Sequence, residues 1–333
     1  MEQCAVPDRS TDSTFCKAMS AIGKKLHHFV PRFYLRAWAQ KEHIYCLQEG
    51  TIRRPNLRNV CAENYFYGLQ HLSDEDIAFL RKAIIDGSPD ALKSSHEQLT
   101  RTLMLPYLAK QRLNASGGAA SPAMAEAARM IVELNENLHT GMEDRFRPYL
   151  SSMLAGDLSF LQDASEAAVF LWCLAIQYAR TNHVKRVQHL LDSNRAELYR
   201  RLANPLVHII AANVGCSLFA ERERFTVVLL ENSSATPFIT ADQPIINIAS
   251  KPNNDLILPT RFELYYPLSP IKAMLLLEPA SDYLPSSLSV SGSAAHLYNQ
   301  RLAARAHRQV LATGPTVLEA IRDELPAYLS CFP

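Results

Sequence analysis

From Glu166 to Leu191 the chain carries its most constraining feature: apolar residues at steps of three and four, with one arginine set among them. Val169, Trp172, Cys173, Ile176, Val184, Val187 and Leu191 share one helical face, and Ala167 to Ile176 is nearly all apolar. A segment of that kind must be surrounded by other elements. The spacing therefore predicts a central buried helix over 166–191, with Trp172 and Ile176 in the core. Arg180 falls in the stripe, four residues from both Ile176 and Val184, with Gln177 one turn earlier and Thr181 beside it. Burying an unpaired guanidinium is costly, so Arg180 must meet a carboxylate, a phosphate or carbonyl oxygens. Glu143 or Asp242 would make it a structural ion pair; an anionic ligand would make it part of a pocket.

Around this helix the periodicity changes twice. Ile44–Leu47 and Thr51–Arg53, joined through Gln48-Glu49-Gly50, read as a hairpin closed at a glycine. Ser73-Asp74-Glu75-Asp76 caps a helix, and Ser116 to Pro122 reads as a linker. A helical run follows from Ile131 to Met153, which Pro148 should kink or interrupt. Pro205 to Phe219 is a further helical stretch. From Phe225 the text turns strand-like at 225–230, 237–240, 244–248 and 272–277, and helical text returns at His296–Thr313 and Pro315–Leu329. The expected class is α+β and mainly helical: an N-terminal hairpin and a C-terminal strand cluster packed on the central helix. Residues 1–22 are expected to be a loose arm. The single domain 23–333 would then hold a helical middle (73–222), a strand-rich part (223–280) and terminal helices (296–329).

Composition bounds the setting. Of 333 residues, 48% are apolar and 20% charged, enough to bury a large core, and the net charge of +1 selects no partner. Between Lys24 and Arg58, however, eight basic residues face two acids, a local 8 − 2 = +6 that can draw phosphates. The seven cysteines are scattered, odd in number and never in a Cys-x-x-Cys pair, against a disulfide framework or zinc ribbon. Reduced thiols, an N-terminus unlike a secretory leader and the lack of a continuous apolar span point to a cytoplasmic protein with no membrane partner.

Chemistry concentrates in three places. The first is Lys25 to Arg36, where His27, His28, Arg32, Tyr34 and Arg36 crowd one short segment. Imidazole can be acid, base or metal ligand near neutral pH. The alternative is that the segment docks aromatics into a core while its histidines bond backbone. The second is Gln177 and Arg180 on the long helix. The third is Phe238-Ile239-Thr240-Ala241-Asp242-Gln243-Pro244, an acid at a strand end, where turn chemistry competes with a functional reading. Glycine-rich phosphate loops and the Gly-x-Ser-x-Gly and His-Glu-x-x-His motifs are absent.

These blocks, His27 to Arg36, Asn59 to Tyr67, Gln177 to Thr181, Phe238 to Pro244 and Pro267 to Pro270, resemble in order and spacing the bacterial domain-of-unknown-function family numbered 4238 over about residues 24–315. Where that family has Ser-Asp-Asn-Pro this chain has Ala241-Asp242-Gln243-Pro244, and Asn182 stands where the family favours proline after Arg-Thr. The resemblance implies a shared fold and names no activity. It does imply that His27, His28, Arg32, Tyr34, Gln177, Arg180 and Asp242 converge on one pocket, with Asp242 the acid expected to reach Arg180.

Two functional readings stay open. In one, the protein is an enzyme on a phosphate-containing substrate, a nuclease or phosphodiesterase, with nucleic acid or a nucleotide as partner. His27 or His28 would be base or metal ligand, Asp242 would orient the histidine or hold a divalent metal ion, and Arg32, Tyr34, Gln177 and Arg180 would bind substrate. In the other, the same residues form a non-catalytic polar network in a protein- or ligand-binding module. A host-defence effector role is compatible with both.

Overall fold

The strand-forming runs of the N-terminal text pair as their alternation requires. In the computed structural model, β1 (Leu26–His28) pairs antiparallel with β4 (Ala62–Asn64), and β2 (Tyr45–Gln48) with β3 (Thr51–Arg53). Glu49 and Gly50 both take positive φ, 50° and 73°, the combination a tight two-residue hairpin needs. Between β1 and β2 a short helix, α1 (Arg32–Leu35), turns Phe29, Tyr34 and Trp38 into the core. The structure describes residues 25–117, 121–182, 195–250, 261–279, 281–283, 285 and 288–330. The expected loose arm 1–22, and Val184, Val187 and Leu191, lie outside the described residues.

The helical middle comprises α2 (Asp74–Leu80), α3 (Asp90–Ala115), α4 (Pro122–Ala155), α5 (Ala164–Ala179) and α6 (Ala196–Ala220). Ser73 and Asp76 form a reciprocal capping box at the start of α2. The linker after Ala115 joins α3 to α4 as expected. Of the two outcomes expected at Pro148, a kink or an interruption, the second does not occur: α4 runs unbroken to Ala155. Pro148 and Asp144, whose carbonyl loses its donor there, are both on the exposed side, where water can take its place. The helix expected over 166–191, by contrast, is not continuous: α5 ends at Ala179, and Arg180 is its C-cap at φ −81°, ψ 6°.

The described half of that helix is buried along most of its length, Ile176 included. Trp172, also expected in the core, is only half-buried, and α6 crosses α5 at this residue at close range. A Cβ on Gly215 would stand 2.9 Å from the Trp172 Cα, so the crossing needs a residue without one. By length and composition α6 could cross a membrane, but over half of its apolar window is buried against the rest of the protein.

The strand-rich part gives β5 (Thr226–Asn232), β6 (Thr240–Ala241), β7 (Ile246–Asn247), β8 (Leu264–Ser269), β9 (Lys272–Leu277) and β10 (Ser289–Val290). A five-stranded sheet runs β10-β5-β9-β8-β7, antiparallel except for the β10–β5 pair. After α7 (Gly292–Ala303), the stretch expected to stay helical to Thr313 instead forms β11 (Val310–Ala312), and α8 (Pro315–Ser330) follows. β11 inserts between β2 and β6, giving a second sheet of order β3-β2-β11-β6. Val310-Leu311-Ala312 carries no local strand signal strong enough to resist helical neighbours; the two waiting edges decide its state. The main core joins these parts: Tyr34 and Trp38, Phe146 and Met153 of α4, Phe170 of α5, Tyr266 of β8 and Leu311 of β11.

Candidate functional site

The end of α5 is where the sequence blocks meet. The last carbonyls of any helix lack intrahelical donors. Here the Gln243 side-chain amide donates to the Tyr178 carbonyl at 3.3 Å and to the Ile245 carbonyl at 2.6 Å, and the Thr181 hydroxyl donates to Gln243 Oε1. The Thr240–Gln243 turn therefore docks on the helix end through its glutamine. Gln177 is buried one turn earlier.

Arg180 is fully buried, and its carboxylate partner is Glu143 of α4, with Nη1 2.8 Å from Oε1. This corrects the expectation that Asp242 fills that role. Nη1 has only this carboxylate oxygen, and Nε and Nη2 have no hydrogen-bond acceptor. Burial opposes the charge on Arg180, but the Tyr67 phenol and the Glu143 carboxylate outweigh it, so the guanidinium stays charged. The Glu143 side chain is 18% exposed, which places Arg180 one side chain below solvent.

The N-terminal block divides. His27 is wholly buried; its Nδ1 accepts the Tyr67 backbone N–H at 3.0 Å and its ring stacks on Tyr67. Tyr34 is equally committed, donating to the Pro267 carbonyl at 2.7 Å, with Thr240 Oγ1 also 2.7 Å away. Burial pushes its phenol well above the usual range. His28 differs. It is half-buried, its Nε2 has no partner, and burial, then the Arg32 charge, lower its pKa, with Arg180 adding to the effect. The Arg58 and Leu57 carbonyls partly oppose that shift. Arg32 pairs with Glu42 at 3.2 Å, and its buried Nε has no partner.

Asp242 serves the turn it belongs to. Its carboxylate accepts the backbone N–H groups of His307, Arg308 and Gln309 at 2.8, 2.7 and 3.0 Å, tying the α7–β11 connection to β6. Burial pushes its pKa up to about 6 although these donors favour the charged form. Desolvation prevails because the carboxyl is almost wholly buried. No group of three or more His, Cys, Asp or Glu side chains among the described residues could hold a metal ion, so the expected divalent ion finds no ligand set there.

Several participants were not singled out in the sequence. Tyr67 stacks on His139 of α4 at 4.1 Å, and His139 on His208 of α6 at 4.8 Å, so four rings from His27 to His208 form a buried column. Asn135 Oδ1 holds His208 Nε2 at 2.6 Å. Asn182, just past the helix end, donates to Glu63 of β4 at 2.6 Å. A signal existed: Glu136, His139 and Glu143 recur at three and four residues on α4, and Asn204 and His208 at four on α6.

Fold and site together define an α+β protein whose helical core encloses an arginine-centred polar cluster. The chain belongs to the family described as protein of unknown function (DUF4238), whose model matches residues 26–314. No curated protein and no solved structure matches it.

Proposed function

We propose that the chain acts on a phosphate-containing substrate, with hydrolysis of a phosphodiester as the reaction class. The observation behind this reading is a set of buried nitrogens in one neighbourhood that lack partners: the donors Nε and Nη2 of Arg180 and Nε of Arg32, and Nε2 of His28. An unmet buried donor is costly, and a guanidinium fork matches two oxygens of a phosphate. Arg180 and Arg32 would clamp the phosphate, and His28, held neutral by its lowered pKa, would take the proton from the attacking water. Gln177, buried one turn before Arg180, would support the clamp from behind. His27, Tyr34 and Asp242, each committed to protein partners, would position the segments rather than react.

The other reading, a non-catalytic network, is favoured by the complete enclosure of Arg180. Purified protein should be screened against single- and double-stranded DNA, RNA, nucleotides and bis(p-nitrophenyl) phosphate, with Mg²⁺, Mn²⁺, Zn²⁺ or chelator. Turnover that Arg180→Lys and His28→Gln each reduce by about 10²-fold or more is expected. Its acid limb should lie below the usual imidazole pKa of about 6.5. Absence of both turnover and stabilisation by phosphate would leave the network reading.

A further inference from the structure

The surface beside His28 bears cations that the proposed chemistry does not use. The turn from Gln40 to His43 has Lys41 and Glu42 both in the left-handed region, at φ 50° and 61°, and holds Lys41 out in solvent. Four arginines gather on this turn. Arg32 and Arg36 both reach Glu42, at 3.2 and 2.9 Å, and Arg54 donates to the Gln40 side chain at 3.1 Å. Arg58 is brought in because the Leu57 N–H bonds the Glu42 carbonyl at 2.8 Å. Its own carbonyl acts on the His28 imidazole. Arg36, Lys41, Arg54 and Arg58 are exposed. Five cations thus share one acid, a local 5 − 1 = +4, on a surface contiguous with His28 and Arg32.

We infer that this cationic collar is a nucleic-acid docking surface, which lays a polynucleotide backbone across the turn so that one phosphate reaches His28 and Arg32. The inference rests on the phosphate-directed reading for its end point and goes beyond it in naming a polymer rather than a mononucleotide. Two features favour a polymer. Phosphates recur along a strand at a spacing that several separate cations can meet together, whereas one phosphate needs only the clamp. Arg36, Lys41, Arg54 and Arg58 also lie outside the clamp, where a mononucleotide would leave them unused.

The test uses the full chain and a fluorescein-labelled 20-nucleotide single strand, as DNA and as RNA, and the corresponding DNA duplex, followed by anisotropy between 50 and 200 mM salt. Log affinity should fall linearly with log salt, with a slope of about −2 to −4 for three to five phosphate contacts. The Lys41→Gln/Arg54→Gln/Arg58→Gln variant alters only exposed side chains. It should melt as the parent does, bind at least about tenfold more weakly at 50 mM salt, and lose about 2 from the slope. Its turnover of bis(p-nitrophenyl) phosphate should equal the parent's. Salt-insensitive binding, or an unchanged variant, overturns the docking surface. Competition by polyglutamate as effective, charge for charge, as the unlabelled oligonucleotide overturns it in favour of an acidic protein partner. If the oligonucleotide is held and the variant loosens it while no diester is cleaved, docking stands and the hydrolytic reading falls. Diester turnover without oligonucleotide binding gives the reverse.

Discussion

Replacing Glu143 by alanine removes the carboxylate 2.8 Å from the Arg180 guanidinium and leaves a charge with no exposure to solvent. Alanine suits a helix interior, so α4 itself should not suffer. Removing one partner of a buried pair costs about 3–5 kcal/mol. Arg180→Met leaves the other half instead, a Glu143 side chain that is 18% exposed and can draw on water; a cost of about 1–3 kcal/mol fits that partial hydration. Unfolding entropy of about 2.1 cal/mol/K per residue over 333 residues is about 0.7 kcal/mol/K. Two-state melting should then drop by about 4–7 °C for Glu143→Ala and by about 1–4 °C for Arg180→Met. Differential scanning calorimetry at pH 7 and low salt reads both. Inorganic phosphate adds a second arm. If the unmet donors accept an anion, phosphate at about 100 times its Kd should restore about 2.7 kcal/mol to Glu143→Ala and nothing to Arg180→Met. A Glu143→Ala melt equal to the parent's, or an Arg180→Met melt lower than that of Glu143→Ala, would refute the asymmetry on which the reasoning rests.

Gly215→Ala should lower the melting temperature by a few degrees despite alanine's better helix propensity. The added Cβ meets Trp172 backbone at 2.9 Å, and only separation of α5 from α6, at about 1–3 kcal/mol, relieves it; an unchanged melt would contradict that close crossing. Burial pushes the Asp242 pKa up to about 6 in the folded state from an ordinary 3.8, so its contribution to stability is fully present below about 3.8 and lost as pH rises through about 6. Asp242→Asn removes this dependence and turns an amide N–H toward backbone donors, so the gap between parent and variant should be wider at pH 5 than at pH 7.5; a gap constant with pH would refute it. Tyr34→Phe removes the hydroxyl that bonds the Pro267 carbonyl and should cost about 1–2 kcal/mol in a denaturant titration with no change in m.

Local chemistry made the N-terminal hairpin, the α2 cap and the strands β5 and β9 readable, because each depends on residues close in sequence. Burial of Ile176 and Arg180 was readable for the same reason: a stripe shows that a side chain is inside. It does not show what the side chain meets. Glu143 and Asp242 were equal on paper, and the resemblance drew attention to the acid in its own blocks. The structure couples the Thr240–Gln243 turn to α5 through Gln243 and gives Asp242 three backbone donors. Likewise the break after Ala179 was hidden, since Thr181 and Asn182 interrupt an apolar stripe too briefly to end a helix by themselves; Gln243, distant in sequence, caps it. The histidines of α4 and α6 were legible as polar residues at helical spacing, but only tertiary packing makes them stack.

The second sheet also sets an order of assembly. Gln309, at the threshold of β11, bonds Gln48 of the N-terminal hairpin across 261 positions of sequence. Until β11 arrives, β2 has β3 on one side and an open edge on the other, and β6 lacks its only neighbour in that sheet. On a ribosome emitting about 5–20 residues per second, the hairpin waits many seconds with that edge unmatched, a long-range closure of the kind that slows folding and invites foreign strands. Chains cut off before Val310 should therefore accumulate as aggregates rather than as a shortened folded form.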